Sequence, residues 1–228
     1  FLVLSYYTDT KMYVEFSTKG VLMEKYFDVL RKCSLFNNIE DKNLNGILAC
    51  LGAEVSGYKK GEIIIAEGNN AKYIGIILFG AAQIEQVDYF GNRNIVANVE
   101  VAELFGESFA CAGVESVPMD VVAKEDTEVL LIDCLRITQT CSNACEFHRQ
   151  MIYNLMKIVA TKNLIFHQKI EVVSKRTTRE KLMTYLLIQA KKNGSAGFEI
   201  PYDRQELADY LGVDRSGLSV EIGRLCKE

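Results

Sequence analysis

The sixteen residues from Arg204 to Ser219, RQELADYLGVDRSGLS, constrain this chain most, because they specify two short helices and the turn between them. Asp203 is placed to N-cap the first helix, and Glu206, three residues on, completes a capping box. Leu207, Ala208 and Leu211 then share one face, and Gly212 stops the helix. Asp214 caps a second helix whose Leu218, Ile222 and Leu225 recur at i, i+4 and i+7. That leaves Arg215, Ser216, Ser219, Val220 and Arg224 on or beside the opposite face. Such a pair is either an amphipathic hairpin packed on a core or the unit that lays its second helix in the major groove of double-stranded DNA. The glycine turn, the two acidic caps and the polar outer face agree on the second.

Charge supports DNA only locally. The 228 residues carry a net charge of −4, with a pI near 5.4. From Lys175 to the end, 10 Lys and Arg stand against 8 Asp and Glu, a net +2, so the preceding residues carry −6. Phosphate contacts would come from a patch such as Lys175, Arg176, Arg179, Lys181, Lys191 and Lys192, and base readout from Arg204, Arg215, Ser216, Ser219 and Arg224.

Hydrophobic residues make up 49% of the chain and charged residues 25%, which suits a globular protein with a sizeable core. No run of eighteen apolar residues exists, so no membrane partner is expected. Phe1–Tyr7 lacks the basic start and small-residue cleavage site of a signal peptide. Seven cysteines, an odd number, favour reduced thiols over a disulfide framework, and a cytoplasmic location is expected.

The rest of the chain divides by period. Residues 1–22 are an extension of undecided origin, and Met23–Arg31 reads as a helix. From Ser56 to Asp133 short β-rich runs are punctuated by glycines, including Gly57, Gly75 and Gly106, which predicts an antiparallel barrel or roll within residues 23–135. Residues 136–174 then turn helical. Between Ala144 and Val173 two apolar stripes run, one through Met151, Leu155, Ile158, Ile165 and Val172, the other through Ile152, Met156, Val159, Phe166, Ile170 and Val173. A helix exposed on one side needs only one stripe. The second, with Val159, Phe166 and Val173 seven apart, suits the seam of a homodimer built on Ile152, Met156, Val159, Phe166 and Val173, and burial within a monomer is the other reading. Residues 175–228 hold a helix from Arg179 to Lys191, a glycine loop, a strand at Phe198–Pro201 and the helix pair. The fold class is α+β.

Roll, long helix and helix-turn-helix in this order resemble the Crp/Fnr family of bacterial transcription regulators. The strings that carry the resemblance are Lys60–Ile64 with Glu67-Gly68, Leu78-Phe79-Gly80, Leu104-Phe105-Gly106-Glu107 and Arg204–Ser216, within a match from about Met23 to Glu228. The resemblance implies a cyclic-nucleotide-binding-like roll, a dimerisation helix and a winged helix-turn-helix that binds palindromic promoter DNA and contacts RNA polymerase, with no enzymatic activity. The chain ends with the second helix, where the family's wing hairpin would follow. A ligand-binding module that acts on a protein partner without DNA is the alternative.

By the same resemblance the effector pocket falls on Phe105, Gly106, Glu107, Val117, Pro118, Phe166 and His167. Cyclic-AMP-binding members place an Arg-Ser or Arg-Thr pair where Val117-Pro118 stands here, and neither residue can donate to a phosphate, so cyclic AMP is not the expected effector. Many members also present arginine at the position of Val220. Gly217 costs its helix about 1 kcal/mol relative to Ala. Cys33 and Cys50 lack the close spacing of an Fnr-type iron–sulfur cluster. Cys141, Cys145 and His148, at i, i+4 and i+7, are the one dense thiol and imidazole group. They read as packing residues or as ligands for a metal, haem or a redox pair. His167 is a further haem candidate. A thiol enzyme using Cys141 or Cys145 with His148 lacks a visible orienting group.

Overall fold

The glycine-punctuated runs fold, in the computed structural model, into eight antiparallel strands in two four-stranded sheets. The structure describes residues 25–138, 146–195 and 197–227. A short helix α1 (Phe27–Leu30), a 3₁₀ turn (Ser34–Phe36) and α2 (Asp41–Leu51) precede the strands. These are β1 (Glu54–Tyr58), β2 (Ile63–Ile65), β3 (Tyr73–Phe79), β4 (Ala82–Val87), β5 (Arg93–Val99), β6 (Leu104–Phe105), β7 (Asp120–Ala123) and β8 (Thr127–Asp133), with α3 (Glu107–Ala112) inserted before β7. One sheet runs β1-β8-β3-β6 and the other β2-β7-β4-β5.

The period-2 rule explains how β3 is buried on both faces. Ile74, Ile76 and Leu78 point to a core shared with α1, α2 and the start of the long helix, where Met151 and Leu155 are buried. Ile77 points the other way, into a cluster with Phe105 and Val129 of its own sheet and Val121 of the other. Gly75, read from sequence as punctuation, lies inside β3. A Cβ there would fall 2.0 Å from Phe105 Cζ, so the glycine makes room for the Phe105 ring.

After β8 come α4 (Cys134–Thr138), the long α5 (Glu146–Val173), α6 (Thr178–Asn193), α7 (Arg204–Leu211) and α8 (Arg215–Leu225). Thr177 and Glu180 form a capping box on α6, and Asp203 and Glu206 form the expected one on α7. Gly212 adopts φ +60°, the left-handed stop that glycine takes without strain. Val172, Leu182, Tyr185, Leu207, Ala208, Leu211 and Leu218 make a separate C-terminal core.

Two expectations need correction. Residues 198–201 form no strand, and the Pro201 carbonyl accepts from the side-chain Nδ2 of Asn98 on β5 at 3.3 Å instead of from a ladder. The helix expected at Met23–Arg31 is described only as Phe27–Leu30, and residues 1–22, with Met23, lie outside the described residues. The long helix is described from Glu146, and Ala144 lies outside the described residues.

Candidate functional site

A cavity of about 880 Å³ lies between β5, the turn from β6 into α3, and α5, within the range of roughly 300–1,000 Å³ usual for small-molecule sites. Gly106 makes the turn at φ +78°, and a Cβ there would stand 2.8 Å from the Tyr73 carbonyl oxygen, so only glycine fits. Glu107 follows, 3% exposed. Its Oε1 lies 3.0 Å from Lys162 Nζ and accepts from the Ser108 hydroxyl at 3.3 Å. Its Oε2 has no partner among the described residues. Burying a carboxylate is costly unless it is paired, and Lys162 supplies that partner for Glu107 at the wall.

Gly106, Glu107 and Phe166 line the cavity, as the sequence suggested. Phe105, Val117, Pro118 and His167 do not. Phe105 turns over Gly75 into the roll, and the backbone of buried Val117 is tied to Gly68 and Asn69 by hydrogen bonds of 2.8 Å. Pro118 and His167 are exposed. Sequence reading missed Lys162, Lys169 and Tyr210 in the lining. The lysines interrupt apolar stripes and read as solvated, and Tyr210 belongs to another domain.

The helix pair is assembled as its caps predict. The Asp214 carboxylate accepts from the backbone N–H groups of Ser216, at 2.9 Å, and Gly217, at 3.1 Å, and from the Ser216 hydroxyl. These bonds, the Ser216 hydroxyl's first, hold the Asp214 carboxyl below its usual range. Leu218 is fully buried, which leaves Arg215 and Arg224 exposed, Val220 53% exposed and Ser219 half-buried. Arg204 is exposed at the start of α7, and Arg224 pairs with Glu221. No neighbour lies within 4 Å of a Cβ built at Gly217, so packing does not demand that glycine. Lys181 has a different place from the phosphate contact expected of it. Its ammonium donates to the carbonyls of Leu211 and Gly212, both at 3.2 Å, at the C-terminal end of α7.

A junction that the sequence did not show joins the two parts. The α7 helix lies against β5. Arg93 donates through Nε at 3.0 Å and Nη2 at 2.8 Å to Asp209 Oδ2, and also reaches Glu85 at 3.3 Å. Lys124 Nζ stands 3.2 Å from Glu206 Oε1, which also accepts from Gln83 at 3.4 Å. Arg93 and Lys124 of the roll are therefore both bound to α7.

On α5 the proposed seam residues differ in exposure. Met156 is 62% and Phe166 37% exposed, while Ile152, Val159 and Val173 are half-buried, Val159 against the roll core. Of the thiol and imidazole group, Cys141 and Cys145 lie outside the described residues. His148 is buried, with Nε2 3.2 Å from the Arg136 carbonyl oxygen. Among the described residues no cluster of three or more His, Cys, Asp or Glu could hold a metal. Cys111 and Cys134 bring their sulfurs to 3.7 Å, and burial pushes both thiols up, Cys111 to about 12, which keeps them protonated.

Comparison with known proteins supplies the frame for this geometry. Residues 56–144 match the cyclic nucleotide-binding domain family. The transcriptional activator protein FnrL of Cereibacter sphaeroides is 23% identical over 180 residues, 75% of this chain and 69% of FnrL. FnrA of Stutzerimonas stutzeri is 26% identical over 160 residues, 68% of this chain and 63% of that protein. The solved structure of FixK2 from Bradyrhizobium japonicum superposes with a TM-score of 0.60 at 23% identity, over 77% of this chain and 85% of FixK2. In sequence and fold the chain is similar to Crp/Fnr-type transcription regulators. Roll, long helix and C-terminal helices have the fold of these regulators. Against the cyclic phosphate of cyclic-AMP-binding members the residues do not fit, because Val117-Pro118 supplies no charge and no spare donor.

Proposed function

We propose that this chain is a homodimeric, sequence-specific DNA-binding transcription regulator of the Crp/Fnr type, with an effector other than cyclic AMP in the cavity of its roll. The observation that carries the reading is α8 itself. Asp214 caps it, Leu218 anchors its inner face, and Arg215 stands exposed in its first turn, the position from which a reading helix reaches base edges. The likeness to activators such as FnrL and FnrA supports the same reading. Dimerisation would use the α5 face that carries Met156, Phe166 and Ile170, the last 59% exposed. Promoter DNA and RNA polymerase are the implied partners.

The test is a gel shift against promoter fragments followed by selection from a randomised operator. A bidentate arginine–guanine contact supplies about 1–3 kcal/mol of discrimination, so Arg215→Ala should flatten preference at one base position per half-site. If site preference is unchanged in Arg215→Ala, α8 does not read DNA, and action on a protein partner takes its place.

A further inference from the structure

Two turns along α5 from Lys162, the same cavity is lined by a second lysine with quite different surroundings. Lys169 donates to the carbonyl of Ile95 and, at 3.3 Å, to that of Val96, both on β5, and its ammonium stands 4.4 Å from the Tyr210 ring centroid. An ammonium has three donors, and here neutral carbonyls take two of them. No carboxylate among the described residues pairs with it, whereas Lys162 has Glu107. Burial alone pushes its pKa down to about 8. A half-buried cation without a counter-ion still costs free energy, and an anion brought to it would recover part of that cost.

The remaining lining narrows the anion. Ile84, Val96, Val99, Ile165 and Phe166 offer an apolar wall beside Lys169. Among the described residues no arginine lines the cavity, and its other lysines without an ion pair, Lys32 and Lys157, are exposed. A phosphate dianion needs several convergent donors or a guanidinium fork, whereas one remaining ammonium donor suits a single carboxylate. Resting on the reading of the cavity as the effector site, we propose that the effector is an amphipathic monocarboxylate. Its carboxylate sits on Lys169, its apolar body lies along Ile84, Val96 and Phe166, and Tyr210 of α7 feels its arrival. Tyr210 stacks on Tyr202 at 4.9 Å and meets Tyr185 edge-on at 5.6 Å, so a shift in its contact with Lys169 acts on the C-terminal core directly.

Calorimetry on the full chain with octanoate, octanol and octyl phosphate tests this without DNA, so its failure leaves the gel shift unaffected. Octanoate should bind once per chain, at least tenfold tighter than octanol and tighter than octyl phosphate. Lys169→Met, checked for folding by circular dichroism, should lose at least tenfold for octanoate and nothing for octanol. In the unaltered chain at about pH 9, octanoate should take up a proton as Lys169 is recharged, visible as a dependence of heat on buffer ionisation enthalpy. Equal binding of octanoate and octanol, preference for octyl phosphate, no binding of any of the three, an unaffected Lys169→Met or no proton uptake would each overturn the assignment.

Discussion

Docking of α7 on the roll is the least expected feature of the molecule, and the Arg93–Asp209 pair gives it a measurable strength. Asp209 is 12% exposed in its side chain and Arg93 37%, so the carboxylate is more sheltered than the guanidinium. A hydrogen bond to a charged partner contributes about 1.5–3 kcal/mol, and water at the exposed side of Arg93 brings the expected coupling down to about 1 kcal/mol. Arg93→Ala alone should cost more than the coupling, because it leaves Glu85 and Asp209 near each other without their shared cation. A double-mutant cycle with Arg93→Ala and Asp209→Ala, read by urea unfolding, isolates the pair from losses that each residue suffers alone. The coupling should shrink by half or more at about 1 M salt, where the Debye length is about 3 Å. A coupling within about 0.3 kcal/mol of zero at low salt, the usual error of additivity, would refute the docked arrangement in solution.

Gly75→Ala should destabilise the roll by about 1–3 kcal/mol, since its Cβ would overlap the Phe105 ring, and Phe105→Leu should recover part of the loss in the denaturant midpoint. Replacing the exposed Met156 and Phe166 together by Glu should give a monomer in sedimentation, because four carboxylates would then meet across the proposed seam. Stability should rise with pH between about 8 and 10.5. Lys169 has its folded pKa lowered from 10.5 to about 8, so over that window the unfolded chain binds the extra proton. Lys169→Met should remove that rise from a pH series of thermal melts.

Local rules made much of this molecule legible before its structure. The α7 and α8 boundaries follow from Asp203, Glu206, Gly212 and Asp214, each of which acts within four residues of itself. Strand-rich and helical regions separate because the apolar period changes from two to about 3.6 near Asp133. What escaped depends on distant partners. Phe198–Pro201 has strand-forming residues, yet the Pro201 carbonyl is taken by the Asn98 side chain of β5 and not by a strand ladder. Phe105 belongs to a motif that suggests a pocket wall, yet the space left at Gly75 draws it into the core. Lys181 and Lys169 look solvated in sequence, and only the fold brings them to carbonyls 30 and 74 residues away. Arg93 and Asp209 are 116 residues apart, and no period or cap relates them.

Glu206 joins the local and the distant kinds of information in one side chain. Its Oε2 accepts from the Asp203 backbone N–H at 3.0 Å and closes the capping box of α7, while its Oε1 meets Lys124 of the roll. A carboxylate can serve both because its two oxygens offer about four acceptor sites. Movement of the roll at Lys124 therefore pulls on the residue that fixes the start of α7, and release of the cap frees a partner of the roll. Tyr210, on the same helix, reports from the cavity through Lys169. The first helix of the C-terminal pair thus meets the rest of the chain through two ionic contacts, Lys124–Glu206 and Arg93–Asp209, and one aromatic contact, Lys169–Tyr210. A signal in the cavity can reach α8 through α7 without passing along the whole length of α5.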